Sequence, residues 1–500
     1  MNPAFDRGSF GGLARCAASP PFHWKRRAPG AHHSTSALHV RNSHLAAPRA
    51  DPVERSHPRG PATPQPTTED LEATSPSHDT PEVSEERPPG LLPPRTHGGS
   101  LAERSFLTGD WHGARDRWTE SGVRVDIALT QTLQSVLDGG VEETTEYGGR
   151  LDSRFTFDLD RMGAIEGALL NVRAESRYGD SVNRASGALL PVNDVMFFPL
   201  GEPDEDILIN VTEFRYTQFL SPKVAVFLGK LVILGGDVNE FAGGRGDTQF
   251  MSHSFVSATV TSLVNPYSSL GAGVTWALSK SSNFTSALYG SQDASSTAGF
   301  DELADGLTWN TAFRTQYELG ALPGGYNVAF QYAFDGSFID LSGQFVGPPG
   351  QFRPARDGDS WNAYANFWQY ISVEGGSQAP VDVTNERIDR EGWGLFGRCG
   401  IADRDTNPVE WAVSGGVSGR GMIDGRDDDT FGVGLATSRL VADRLTNSEL
   451  IDRSPGRLEV FYAYSFTPAA ILTFDFQLAN PLIEGLDTAT LFGLRLRAAL

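Results

Sequence analysis

The sequence predicts an all-β chain: a transmembrane antiparallel β-barrel of sixteen strands, preceded by a disordered N-terminal extension. Three observations predict it. Apolar and polar residues alternate with a period of two from about residue 123 to the end, the alternating segments are even in number, and the links between them are short and long by turns. Membrane helices are excluded, because no apolar run approaches the roughly 20 residues that a spanning helix needs. A spanning strand needs only about 10 residues, half of them polar, so a hydrophobic content of 39% suffices.

The extension comes first. Residues 1–100 hold 16 of the 30 prolines and 8 of the 10 histidines. Proline at that density removes backbone donors and blocks regular ladders, so this stretch is expected to be disordered or processed away. It shows no clear secretory leader, and its 11 basic and 10 acidic residues are too balanced for a polyelectrolyte partner. A formal net charge of -21 argues against nucleic acid, whose phosphates require a cationic surface. Two cysteines, Cys16 and Cys399, build neither a disulfide framework nor a thiolate metal cluster.

Residues 101–122 read as a turn-rich periplasmic segment, and 123–500 as the barrel. Strands are expected at about 123–136, 148–160, 163–177, 205–219, 223–231, 267–279, 282–291, 306–319, 325–333, 359–372, 391–402, 408–418, 429–439, 457–466, 469–476 and 488–498. The clearest begins at Gly149: Leu151, Ser153, Phe155, Phe157 and Leu159 fall on one face, with Arg150, Asp152, Arg154, Thr156 and Asp158 on the other. Thr212, Phe214 and Tyr216 likewise oppose Glu213, Arg215 and Thr217, and Leu472, Phe474 and Phe476 oppose Thr473, Asp475 and Gln477.

An even number of antiparallel strands lets the sheet close with both chain ends on one side, and closure matters because lipid offers no partner to an unpaired edge. The links "DRMG", "SPK", "SKSSN" and "TPAA" are the short turns of that side, and the link at about 373–390 is the exception. Aromatics near strand ends (Tyr178, Tyr267, Tyr289, Trp361, Trp368, Tyr370, Trp393, Trp411, Tyr462 and Tyr464) are expected in interfacial girdles.

The segment "LTGDWHGARDRWTESGVRVDIALTQ" resembles the N-terminal signature of the carbohydrate-selective porins of the OprB type, with Gly109, Asp110, Trp111, Gly113, Arg115 and Gly122 at its motif positions and His112 and Ala114 as departures. Gly229, Lys230, Phe241, Gln249, Phe250 and Met251 fit the family's glycine-rich stretch after the fifth strand. Phe396, Arg398, Gly400, Asp403, Asp429, Gly432 and Gly434 fit a late hairpin region. The resemblance covers about residues 105–500. The chain ends in Leu500, where such barrels usually end in phenylalanine.

The resemblance implies a bacterial outer-membrane channel for passive diffusion of mono- and oligosaccharides, with the lipid bilayer and the outer-membrane assembly machinery as partners. It implies no cofactor and no enzyme activity, and leaves monomer and homotrimer open. The third external loop, about 232–266, is expected to fold inward and narrow the pore with Asp237, Asn239, Glu240, Arg245, Asp247 and Gln249, whose mixed donors and acceptors suit sugar hydroxyls. Arg154, Arg173, Arg177, Glu213, Arg215, Arg314 and Glu318 are expected to line the pore wall. A general or anion-preferring porin is the nearest alternative. Metal and catalytic sites are not expected: His112 and His253 stand alone in the sequence, "DGRDDD" at 424–429 lacks an EF-hand spacing, and no nucleophile elbow appears.

Overall fold

The computed structural model describes residues 90–93, 95–198, 209–262, 264–342, 345–346, 353–375, 381, 388–441 and 451–500. The disorder or processing expected for the extension lies, for residues 1–89, outside the described residues. From Gly90 onward the chain lies against the barrel: the Leu91 and Leu92 amides donate to Asp158 at 2.7 and 2.9 Å, and Arg95 pairs with Asp126 at 2.9 Å.

Sixteen antiparallel strands close into one barrel. In chain order they are β1 (Val123–Asp138), β2 (Thr144–Asp158), β3 (Ala168–Gly179), β4 (Asn210–Ser221), β5 (Val224–Val232), β6 (Ser268–Ala277), β7 (Ser282–Gly290), β8 (Leu307–Leu319) and β9 (Leu322–Phe334). After two short ladders, β10 (Phe338–Ile339) with β13 (Arg356–Asp357) and β11 (Phe345–Val346) with β12 (Arg353–Pro354), the barrel resumes. Its remaining strands are β14 (Ser360–Val373), β15 (Gly392–Ala402), β16 (Val409–Arg420), β17 (Thr430–Leu440), β18 (Gly456–Thr467), β19 (Ala470–Ala479) and β20 (Ala489–Ala499). All sixteen expected strands are present. Among the described residues no helix is long and apolar enough to cross a membrane; the crossing is made by strands.

The register turns the sequence alternation into an inside and an outside. Outward side chains are apolar and exposed, including Leu435 at 64%, Phe214 at 52% and Trp276 at 52%, as hydrocarbon contact requires. Their polar sequence neighbours point inward. At Thr212 the expected phase fails: a bulge opposite Arg173 and Ala174 turns Thr212 into the interior, where it donates to Glu175 at 2.5 Å, while Phe214 stays outside. Four of the expected girdle aromatics are also interior: Tyr267, Tyr289, Trp368 and Tyr370 are at most 3% exposed, whereas Tyr178 and Trp411 are exposed. Period two assigns a face, and which face is wet depends on what fills the barrel.

β1 pairs with β20 to close the seam, Thr130 opposite Arg497 and Leu133 opposite Leu494. The N-terminal segment clasps this seam. The Leu107 amide donates to Ala499 at 2.7 Å, and Phe106 packs on Ala469 and Ala499. Here the motif has a physical cause. Gly109, Trp111, His112 and Gly113 all adopt left-handed backbone (φ 62°, 52°, 59° and 79°), a sharp reversal that launches the helix α1 (Ala114–Glu120). The reversal delivers Arg115 to a buried position, its guanidinium 3.9 Å from the Phe106 ring centre and 4.7 Å from that of Trp111. From there Arg115 donates to the Val125 carbonyl of β1.

Links at the seam-clasp end include the short 222–223, 278–281, 320–321 and 468–469, the nine-residue 159–167 and 421–429, and the longer 374–391. The long loops 180–209, 233–267, 291–306, 335–359 and 441–455 leave the opposite end.

Candidate functional site

An irregular backbone packed inside a barrel must still satisfy its amides and carbonyls wherever it is buried from water. The loop 233–267 meets that demand by binding the wall on two sides. On the β2–β3 side, Arg245 reaches Glu175 at 2.9 Å and Asp152 at 3.4 Å, and Asp247 pairs with Arg150 at 2.8 Å. Arg173 pairs with Asp152, and Tyr267 donates to Glu175 at 2.6 Å. Each of these groups is buried. Opposite charges alternate through the cluster, so every buried ion has a countercharge and hydrogen bonds, the condition under which burial is tolerable.

Across the barrel, Asp237 pairs with Arg398 of β15 at 3.0 Å. Asn239 donates to the Phe367 carbonyl of β14 at 3.0 Å and accepts from the Phe241 and Ala242 amides. Glu240 accepts from Tyr370 at 2.5 Å and from the Asp389 amide at 2.6 Å. Burial pushes the Glu240 carboxyl up to about 7. Gln249 acts within the loop, donating to the Glu240 carbonyl at 2.7 Å and accepting from the Gly243 amide.

Wall arginines complete the backbone bookkeeping. Arg398 donates to the Phe255 carbonyl at 2.8 Å and to that of Ala242, and Arg495 to the Gln249 carbonyl at 2.7 Å and to that of Gly246. A guanidinium suits this work because it presents five donors in a fixed fork. Glu459 is the counterpart for amides, accepting from Met251 at 2.5 Å and Ser252 at 2.9 Å.

The apolar half of the loop seats in glycine-lined wall. Phe241, Phe250 and Phe255 form one buried cluster with Trp368, Tyr370, Phe396 and Phe461. A Cβ on Gly434 would fall within 3 Å of Phe255, one on Gly432 within 3 Å of Phe250, and one on Gly394 would collide with Phe241. These glycines are inward positions of β15 and β17 at which a side chain would displace the loop.

Sequence reasoning missed the loop 180–209. Its described part lies with the third loop: Asp194 donates its amide to the Met251 carbonyl at 2.9 Å, and Arg457 donates to the Leu190 carbonyl at 2.8 Å and that of Pro191 at 3.1 Å. His253 bridges the two loops, its ring nitrogens 2.5 Å from Asp194 and 2.7 Å from Ser262. No sequence motif marks that trio; only the tertiary path of two loops brings it together. Arg150, Asp152, Glu175, Glu459, Arg457 and Arg495 were also outside the expected set, although the alternation put Arg150 and Asp152 on the same face as Arg154.

The expected wall residues divide. Arg154 and Arg215 have side chains 35% and 39% exposed, with Arg154 paired to Asp152 and Arg215 to Glu213. Arg314 is half-buried on β8, and Glu318 is exposed near the end of that strand. Arg173 belongs to the buried ion cluster, and Arg177 donates to the Met196 and Phe197 carbonyls at 2.8 and 2.6 Å. Of the signature residues, Gly109, Trp111, Gly113 and Arg115 build the seam clasp described above. Asp110 accepts from the Arg115 amide through its carbonyl, and Gly122, at φ 97°, joins α1 to β1 within 3 Å of the Asp158 backbone.

Residues 142–500 match the family profile described as carbohydrate-selective porin, OprB family. The high-pH structure of Pseudomonas putida OprB is similar at 18% identity over 80% of this chain and 100% of that one, with a TM-score of 0.67. The low-pH structure of the same protein is similar at 14% identity over 80% and 99%, with a TM-score of 0.50. At these identities the two structures speak to the fold. Curated protein sequences contain no match.

Proposed function

The chain belongs to the OprB family of carbohydrate-selective porins, a multi-pass β-barrel of the bacterial outer membrane, and on that premise we propose that it passes mono- and oligosaccharides by passive diffusion through a lumen narrowed by its third external loop. The observation that carries this reading is the span of residues 237–249. Arg245 and Asp247 bind β2–β3 while Asp237 and Glu240 bind β14–β15, so one loop bridges the barrel interior.

A bridge of this kind leaves a solute only the remaining cross-section, lined by polar side chains. A neutral sugar shedding water there exchanges its hydration for side-chain donors and acceptors, so passage costs little for a polyol and much for an apolar solute. Asp237, Asn239, Glu240, Arg245, Asp247 and Gln249 act mainly by holding the loop's shape, since their polar atoms are largely engaged with wall and backbone. Arg154, Arg215 and Glu213 set the potential of the lumen nearer the periplasm. The closing strand β20 is the segment the assembly machinery would read, and Leu500 keeps its alternation.

Conductance of the purified chain in planar bilayers tests the proposal. Glucose or a related sugar is expected to reduce conductance saturably. A channel that no sugar affects, with the exposed Arg154 and Arg215 giving it anion preference, would leave the general porin as the correct reading.

A further inference from the structure

One external loop turns away from the pore. The loop 291–306 leaves β7 and folds against the outer wall, and the register shows where it lands. Phe214 and Leu228 face lipid, 52% and 53% exposed. Lys230 stands opposite Phe214 on β4 and opposite Leu270 on β6, with no shift of register between Leu228 and Lys230, so Lys230 and Leu270 point outward too.

Yet Lys230 is only 6% exposed. A lysine at the edge of a lipid-facing belt ordinarily runs its stem along the wall and leaves its ammonium in water. Here the loop holds the ammonium, which donates to the Thr297 carbonyl at 2.6 Å and the Ser295 carbonyl at 3.3 Å. Asp293 pins the start of the loop to β6, accepting from the Tyr267 and Ser268 amides at 2.8 and 3.1 Å, and the Ala294 amide donates to the Ser268 carbonyl at 2.8 Å. Gly299, left-handed at φ 89°, lies so close to the wall that a Cβ there would stand 2.9 Å from the Leu270 side chain. The next residue is Phe300.

We propose that this loop is an interfacial anchor that lays the Phe300 ring into the boundary between headgroups and acyl chains of the outer leaflet, so that its partner is the lipid surface itself. Phe300 is 74% exposed, the most exposed of the large apolar side chains among the described residues, and Leu303 is 38% exposed. Both belong to a loop already fixed on the lipid-facing side, continuous with the belt of Phe214, Leu228 and Leu270, and apolar surface there is removed from water by lipid. Asp301 and Asp305 are exposed, the carboxylates that stay with water. The rim also lacks a ring without this loop. Tyr267 and Tyr289, at the external ends of β6 and β7, turn inward, and the outward side chains Lys230, Leu270 and Leu288 include no aromatic. Aromatic rings favour the headgroup level, and Phe300 supplies from a loop what these strands do not. The inference needs only the barrel and its membrane, and holds whichever solute the channel passes.

The test is spin labelling of the full chain folded into phospholipid vesicles, in a Cys16→Ser, Cys399→Ser background because Cys399 is a free, exposed thiol. A nitroxide at Phe300→Cys is compared with one at Leu228→Cys, on the lipid-facing wall, and one at Asp305→Cys, in the same loop. Molecular oxygen concentrates in the bilayer and a nickel chelate in water, so the ratio of their collision rates with the label reads its depth. The ratio at position 300 is expected to approach that at 228 and to exceed that at 305 roughly threefold or more. A ratio at 300 equal to that at 305 would leave the ring in water, and spin–spin broadening between labels at 300 would place a second copy of the chain over it; either result overturns the proposal. Lys230→Gln in the same background removes the ammonium that seats the loop and is expected to lower the ratio at 300 towards that at 305. An unchanged ratio would overturn the role given to Lys230. Should Lys230→Gln lose the heat-modifiable mobility of a folded barrel, the three labels in the chain that keeps Lys230 decide whether the loop meets lipid.

Discussion

The β2–β3 wall and the β15–β17 wall hold the same loop by opposite means. On β2–β3 the hold is ionic, Arg150, Asp152, Arg173 and Glu175 interlocking with Arg245 and Asp247. On β15–β17 one ion pair, Arg398 with Asp237, stands beside glycines whose missing side chains make room for Phe241, Phe250 and Phe255. The difference teaches that a loop inside a barrel is held by two unlike penalties. Removing an ion strands a buried countercharge, whereas adding a carbon to a glycine collides with a ring.

Four outcomes sharpen or break that comparison. The largest effect is expected from Arg245→Ala, which leaves Asp152 and Glu175 short of a cation; a penalty of about 3–5 kcal/mol is expected to free the loop. Single-channel conductance should then rise and the loop should become sensitive to added protease. A variant channel with unaltered conductance and protease resistance would show that the ionic side is dispensable. Next, Gly434→Val should push Phe255 and Phe250 off their seats at about 1–3 kcal/mol, and Phe255→Ala in the same chain should relieve part of that cost. Additive effects on thermal stability would mean that the two positions do not touch.

The third outcome concerns pH. Glu240, raised from 4.5 to about 7, binds its proton more tightly with the loop docked than with it free. The docked state therefore holds its full advantage below about pH 4.5, loses it as pH rises towards 7, and is weakest above that; the whole swing is about 3 kcal/mol. Current noise in the open channel should increase between pH 5 and 8, and Glu240→Gln should flatten that dependence. The smallest structural effect is expected from Arg154→Gln. Its side chain is exposed, so stability should change by less than about 1 kcal/mol while the reversal potential shifts towards cations. A shift in stability without one in selectivity would move Arg154 from the lumen surface into the ionic hold.

The same contrast explains what could be read in advance. Arg150, Asp152, Arg173 and Glu175 stand at alternate positions, so their inward direction was legible from period two. That Asp247 and Arg245 would meet them was not, because the partners lie about seventy to a hundred residues away along the chain. Gly432 and Gly434 were legible as motif residues, but a missing side chain carries no sign of what fills its space. Tyr370 and Trp368 read as girdle aromatics because ring chemistry is the same at a lipid headgroup and against a phenylalanine from a folded-in loop. Thr212 misled for a local reason, a single bulge that shifted the phase by one.

By itself the sequence determined the number of strands, their order and the alternation of faces, except at the bulge beside Thr212 and at four aromatics that turn inward. These follow from backbone geometry, which alternates side chains strictly and forbids an open edge in hydrocarbon. Only the tertiary structure decided what occupies the inside among the described residues: parts of the loops 180–209 and 233–267, five arginines (Arg150, Arg177, Arg398, Arg457 and Arg495) capping loop carbonyls, and three phenylalanines in glycine seats. Inside a closed barrel every buried donor, acceptor and ring must find its partner from wherever the chain can bring one, and that matching is a property of distances in space that no local pattern encodes.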